Sequence, residues 1–135
     1  TNLQNVYFRN KLRNSLLPLL EKGYNANIKQ VLGNMASAVA FDYDYLKKKA
    51  EEASMRMGKD IPMDKFRKLH PAMQRLILRL RIAQLKGDTR RLTFQHIREI
   101  EELISDRPNG SIVDLPKGIS VLKKKNFISI YLRKS

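Results

Sequence analysis

Apolar residues recur at three- and four-residue steps through Ile28, Val31, Leu32, Met35, Val39, Tyr43, Leu46, Ala50, Ala53 and Met57. That spacing places them on one face of a helix, with Asn27 as a plausible N-cap and Gly58 as a stop. The stripe is long, which predicts the spine of a helical bundle. Before it, Leu12, Leu16, Leu19 and Leu20 trace a shorter stripe. A first helix is expected up to Leu17. Pro18 ends or kinks it, because proline lacks the N–H and clashes with the preceding turn. Gly23 and Asn25 then break the chain.

Beyond Gly58, Asp64 suits the start of a short helical turn. A third helix is expected from Pro71, in its first turn, to Lys86, before Gly87. A helix running on through Pro71 with a kink is the other reading. Met73, Leu76, Ile77, Leu80 and Ala83 form its expected core face. Thr93 caps a fourth helix from Phe94 to Ile104, with Phe94, Ile97, Ile100, Leu103 and Ile104 on one side. After Pro108 the period changes: "SIVDLP", "GISVLKK" and "FISIYLR" alternate and are rich in β-branched residues. Lys124, Lys125 and Asn126 make a hairpin turn between residues 120–123 and 127–132. The expected fold is mainly α, a helical bundle with a small C-terminal antiparallel β-hairpin or sheet over about residues 111–133.

Charge narrows the function. Lys and Arg total 27 against 13 acidic residues, a formal net charge of +14, in a chain whose pI is about 10.2. Such a field favours phosphate backbones or anionic lipid; a solvated, lysine-rich surface needs no partner. On a helical wheel, Arg75, Arg79 and Lys86 lie within about 20° of one line beside the expected core face. Lys68 joins them only if the helix continues through Pro71. Arg9 and Arg13, one turn apart, repel mildly unless an anion lies near. A carboxylate elsewhere in the fold or a phosphate would serve.

Chemistry is excluded more firmly than binding. There is no cysteine, hence no disulfide, thiolate metal site or cysteine nucleophile. No apolar run approaches the ~20 residues of a membrane span. His96 and Glu99 have helical spacing but no further ligand to complete a metal site. Asp42 and Asp44, two apart on a helix, point to different sides. "PNGS" and "PKG" lack the length and the Lys-Ser/Thr ending of a phosphate loop. No catalytic residue and no metal ligand is expected.

The opening stretch carries a resemblance. "TN" followed by "YFRNKLRNSLLPLL" resembles the linker and C-terminal-domain opening of the tRNA(Ile)-lysidine synthetase family. Thr1 and Asn2 match its Ser/Thr-Asn; Tyr7, Arg9, Asn10 and Arg13 match an aromatic followed by Arg-Asn-x-x-Arg; Leu16, Leu17, Pro18 and Leu20 complete the pattern. The family's preceding acidic residue would fall just before Thr1, so the resemblance implies a sequence that starts inside the motif. "LHPAMQRLILR" is similar to a later segment, matching at Arg75, Leu78 and Arg79, with Leu76 where many members carry another Arg. "GSIVDLPKGISVLKKKNFISI" resembles the closing Leu-Pro-x-Gly and hairpin.

The resemblance implies an enzyme that converts the wobble cytidine of an isoleucine tRNA to lysidine. ATP adenylates the base and the lysine amine displaces AMP. ATP, with Mg, and a Ser-Gly-Gly-x-Asp-Ser phosphate loop belong to an N-terminal catalytic domain, and that loop is not in these 135 residues. No cofactor is expected in the present chain. Residues 1–23 would be a linker helix following that domain, and residues 24–135 a helical C-terminal domain closed by the hairpin. The implied partners are tRNA(Ile) and the N-terminal catalytic domain, with a homodimer left open, no membrane, and a cytoplasmic location. The further C-terminal domain of longer members is not visible. Asn2, Arg9, Asn10 and Arg13 would serve the domain junction or the tRNA. Lys68, Arg75, Arg79 and Lys86, with the hairpin-tip lysines Lys123, Lys124 and Lys125, would meet backbone phosphates. The rival reading is a stand-alone basic helical module that binds RNA or DNA.

Overall fold

The computed structural model describes residues 2–87 and 89–134, with side chains from Tyr7 onward. Its backbone divides into two units, residues 1–44 and 45–135. In the first unit, helix α1 (Asn2–Lys11) continues through a π-helical turn (Leu12–Leu16) into α2 (Leu17–Gly23). Of the two expected outcomes, Pro18 therefore does not end the helix; the regular α-helical winding is interrupted just before it. In a regular α-helix its ring would press on the carbonyl four residues back. The wider π turn, in which the Leu17 N–H reaches back five residues to the Leu12 carbonyl, accommodates it. A turn closed by Asn25, whose Oδ1 accepts from the Asn27 N–H, leads into α3 (Ile28–Arg56).

The long stripe on α3 has two fates. Towards its C-terminus, Ala50 is fully buried, and Ala53 and Met57 pack on the core of the second unit. Towards its N-terminus, Val31, Leu32, Met35 and Val39 remain exposed, the last two at 58%. No described side chain of the first unit is buried. The stripe is a bundle spine only over its final turns.

The second unit is a two-layer α/β arrangement. Strand β1 (Ile61–Pro62) leads straight into the short helix α4 (Met63–Arg67). Helix α5 (Pro71–Lys86) and helix α6 (Phe94–Ser105) follow, at the boundaries expected from Pro71, Gly87 and Thr93. His70 is the N-cap of α5, its Nδ1 accepting from the Ala72 N–H. Thr93 and His96 form a reciprocal capping box on α6, so the His96 ring closes a helix end. Strands β2 (Ile112–Leu115), β3 (Ile119–Lys123) and β4 (Phe127–Leu132) complete an antiparallel sheet in the order β1-β4-β3-β2. The expected hairpin is β3–β4, with Val121 opposite Ile130. Strand β1 adds a fourth strand that local pattern did not announce, pairing Ile61 with Ile128.

The core lies between the sheet and the helices. Val113, Leu115, Ile119, Val121 and Ile128 face Phe66, Ile77, Leu78, Ile82, Ile97, Ile100 and Leu103. On α5 the fully buried line is Ile77, Leu78 and Ile82. Leu76 and Leu80, expected at its centre, are only partly buried. The helix is turned further because it packs against α6 and sheet together. Leu78→Ala is expected to cost about 2–5 kcal/mol as a core truncation, and Leu80→Ala less. Urea titration of both variants checks the order.

Candidate nucleic-acid interface

A chain of net charge +14 can hold its cations apart in solvent or spend them inside the fold. Several are spent. The Arg81 guanidinium donates to Ser54 Oγ and to the Ser54 carbonyl, each at 2.6 Å, and to the Lys59 carbonyl at 2.8 Å. Burial pulls its pKa below the ordinary value, with the Asp60 carboxylate acting the other way. Arg67 donates to the Ile104 carbonyl at 3.1 Å. Arg133 reaches Asp114 at 2.7 Å and the Ile119 carbonyl at 2.9 Å. None of these ties was visible as a spacing.

The expected phosphate contacts divide in the same way. Lys123 is not at a hairpin tip. Its side chain is 7% exposed, and Nζ donates to the Ile104 carbonyl at 2.8 Å and the Arg107 carbonyl at 2.5 Å. Strand alternation explains it: Ile119, Val121 and Lys123 share the inward face, so the third takes a core position beside the end of α6. Lys124 and Lys125 are exposed in the turn. Lys68 is the C-cap of α4, separated from α5 by Leu69 and His70, so it does not join the line on α5.

Arg75 is held by Glu101 of α6, Nε to Oε1 at 2.6 Å and Nη2 to Oε2 at 3.3 Å, while its guanidinium lies 5.3 Å from the centroid of the Phe94 ring. The hydrogen bond that Arg75 donates to Glu101, followed by the attraction of the carboxylate's charge, raises the Arg75 pKa. Arg79 and Lys86 have no such tie among the described residues. Of the three cations on the line, one joins helix to helix and two face outward.

In the first unit, Arg9, Asn10 and Arg13 line one shallow concavity with Leu12 and Leu17. Both arginines are exposed, and no described carboxylate pairs with either. The side chain of Asn2, like Thr1, lies outside the described residues. The described residues contain no group of three His, Cys, Asp or Glu that could hold a metal ion. No described helix is long and apolar enough to cross a membrane.

Residues 62–122 match the family model described as the TilS substrate binding domain. The chain is 33% identical over 135 residues to the tRNA(Ile)-lysidine synthase of Clostridioides difficile, covering 95% of this chain and 29% of that protein. It is 30% identical over 141 residues to the tRNA(Ile)-lysidine synthase of Caldanaerobacter subterraneus, covering 100% of this chain and 30% of that protein. A bifunctional protein TilS/HprT of Listeria innocua is 26% identical over 133 residues, 93% of this chain and 20% of its own length. The chain thus spans under a third of the length of these curated relatives.

Two outcomes follow from the electrostatics. Arg75→Gln and Glu101→Gln should each lower the melting temperature, and the double variant should lose less than their sum, as a double-mutant cycle by thermal melts reads directly. Asp114 accepts hydrogen bonds from Ser120 and Arg133, which hold its carboxyl below the usual range. Its contribution to stability is therefore present above the unfolded carboxylate pKa and fades as pH falls through the lower folded value. Ser120→Ala should raise the Asp114 pKa in an NMR titration; an unchanged value would refute the role of that bond.

Proposed function

Residues 62–122 belong to the TilS substrate binding domain family and the chain as a whole is related to tRNA(Ile)-lysidine synthases, and on that premise we propose that it is the part of such an enzyme that holds the tRNA. The observation that carries this reading is the division of its cations. After Arg67, Arg75, Arg81, Lys123 and Arg133 are assigned to the fold, exposed cations remain on both units, at Arg9, Arg13, Lys86, Lys124 and Lys125, with a partly exposed Arg79. Exposed cations without carboxylate partners contribute little to stability, but they neutralise phosphates and release counterions.

In this reading the chain's residues position RNA and perform no bond chemistry. Contacts to phosphate orient a substrate without reading its sequence. Adenylation by ATP and displacement of AMP by lysine would belong to the portion of the relatives that this chain does not span. Residues 1–23, with Arg9, Asn10 and Arg13 on one face, would meet that catalytic portion or the tRNA beside it. A stand-alone RNA- or DNA-binding module fits the charge equally, and the relation to lysidine synthases along the whole chain supports the enzyme.

The test is binding of an unmodified isoleucine tRNA transcript. Affinity should be weak and should fall steeply with salt, with the log–log slope reduced by about 0.7–0.9 for each phosphate contact removed. Binding unchanged between low and moderate salt, or equal binding of duplex DNA of matched length, would argue against the reading. Incubated with ATP, lysine and tRNA, the chain alone should release no AMP above background.

A further inference from the structure

Helix α6 opens on an aromatic side chain that the core does not take. Ile97, Ile100, Leu103 and Ile104 are buried, whereas Phe94, expected on the same side, is 60% exposed. The helical wheel explains the difference. Phe94 lies about 20° from Glu101 and about 40° from Arg98, and about 60° from Ile97, the nearest buried position. It therefore stands on the flank of the helix, beside the core and outside it.

The ring is nevertheless fixed. Its backbone is held by the capping box that Thr93 and His96 close around it. The Arg75 guanidinium lies 5.3 Å from the ring centroid, within the ~6 Å reach of a cation–π attraction. Glu101 in turn fixes that guanidinium through two hydrogen bonds. One face of the ring is thus covered, and its exposure belongs to the opposite face and the edge. A ring left so open contributes little burial to the fold. A side chain already held in place loses little freedom when it meets a ligand.

Cations surround it. Arg98 follows one turn later on α6, its side chain 51% exposed and its Nη1 4.0 Å from Glu101. Arg91, three residues earlier, is exposed, and Arg79, one turn beyond Arg75 on α5, is partly so. Neither Arg79 nor Arg91 has a carboxylate partner among the described residues.

We propose that Phe94 is a stacking platform for one unpaired base of the bound RNA, with Arg79, Arg91 and Arg98 serving the phosphates on either side of that nucleotide. This rests on the tRNA-holding reading above and narrows it to an unpaired nucleotide. Bases stacked inside a duplex present no free face, so an exposed ring selects a nucleotide that has left the stack. Every base has a π-face, so such a platform tolerates sequence, while neighbouring cations track the backbone. Arg75 needs no free donor here, because its ties to Glu101 are what hold the ring.

The experiment uses the full 135-residue chain, which has no tryptophan. Phe94→Trp therefore places a single indole at the platform. Its emission should be quenched by a short oligoadenylate and by an unmodified isoleucine tRNA transcript, and far less by duplex RNA of matched length. Phe94→Leu keeps an apolar side chain and removes the π-face. Its tRNA Kd, read by fluorescence anisotropy, should rise on the order of tenfold. Its log–log salt slope should match the parent's, since no phosphate contact is lost, and its melting temperature should stay close to the parent's. Phe94→Tyr should bind as the parent does. A Phe94→Leu chain that binds tRNA as tightly as the parent, whatever its melting temperature, overturns the platform. So does a salt slope lowered by a phosphate contact, or an indole whose emission ignores single-stranded RNA. If the parent chain itself binds no tRNA, the broader reading falls and takes the platform with it.

Discussion

Main-chain carbonyls left over at the ends of helices and turns must find donors, and in this fold long cationic side chains supply them. The last carbonyls of a helix have no partner within it. Arg81 takes up that of Ser54 at the end of α3, and Arg67 and Lys123 share that of Ile104 in α6. Arg133 does the same for Ile119 beside the β2–β3 turn. A positive group at the C-terminal end of a helix is also favoured by the helix dipole. A charged hydrogen bond of this kind is worth about 1.5–3 kcal/mol, more than the usual yield of a surface ion pair. The sheet, α5 and α6 are held in register by these ties as well as by the core.

This arrangement changes what the net charge means. A count of Lys and Arg treats each cation as available to a ligand. Arg81 and Lys123 are as far from that role as Ile77 is. What remains is distributed and includes Arg9 and Arg13 on the first unit, Arg79 and Lys86 on α5, and Lys124 and Lys125 in the last turn. The line of Arg75, Arg79 and Lys86 on the helical wheel is geometrically real. Its first member is paired with Glu101, and among the described residues the other two have no such pair.

The helices were legible because their signals are local. Pro71, Gly87 and Thr93 set the limits of α5 and α6, and alternation with turn residues set β2 to β4. Strand β1 was not legible, since Ile61 and Pro62 form a strand only by pairing with Ile128 and Phe127, distant in sequence. The wheel of α5 gave its apolar sector but not the rotation within it, which depends on packing against sheet and α6 at once. For the site, Arg9 and Arg13 are both exposed. Lys123 was misplaced although the signal existed, in the inward series that begins with Ile119 and Val121. The partners of Arg81 and Arg75 lie on other helices, and no pattern within one segment reports them.

Lys123 has a consequence for chemical labelling. Amine-reactive reagents and acetylating enzymes need an amine that meets solvent. The other described lysines offer that far more readily, whereas Nζ of Lys123 is enclosed by the carbonyls of Ile104 and Arg107. Its modification requires the end of α6 to separate from β3, which opens the core. In a map of lysine reactivity this one amine is therefore a clock for unfolding of the domain, silent while the surface lysines report only their exposure.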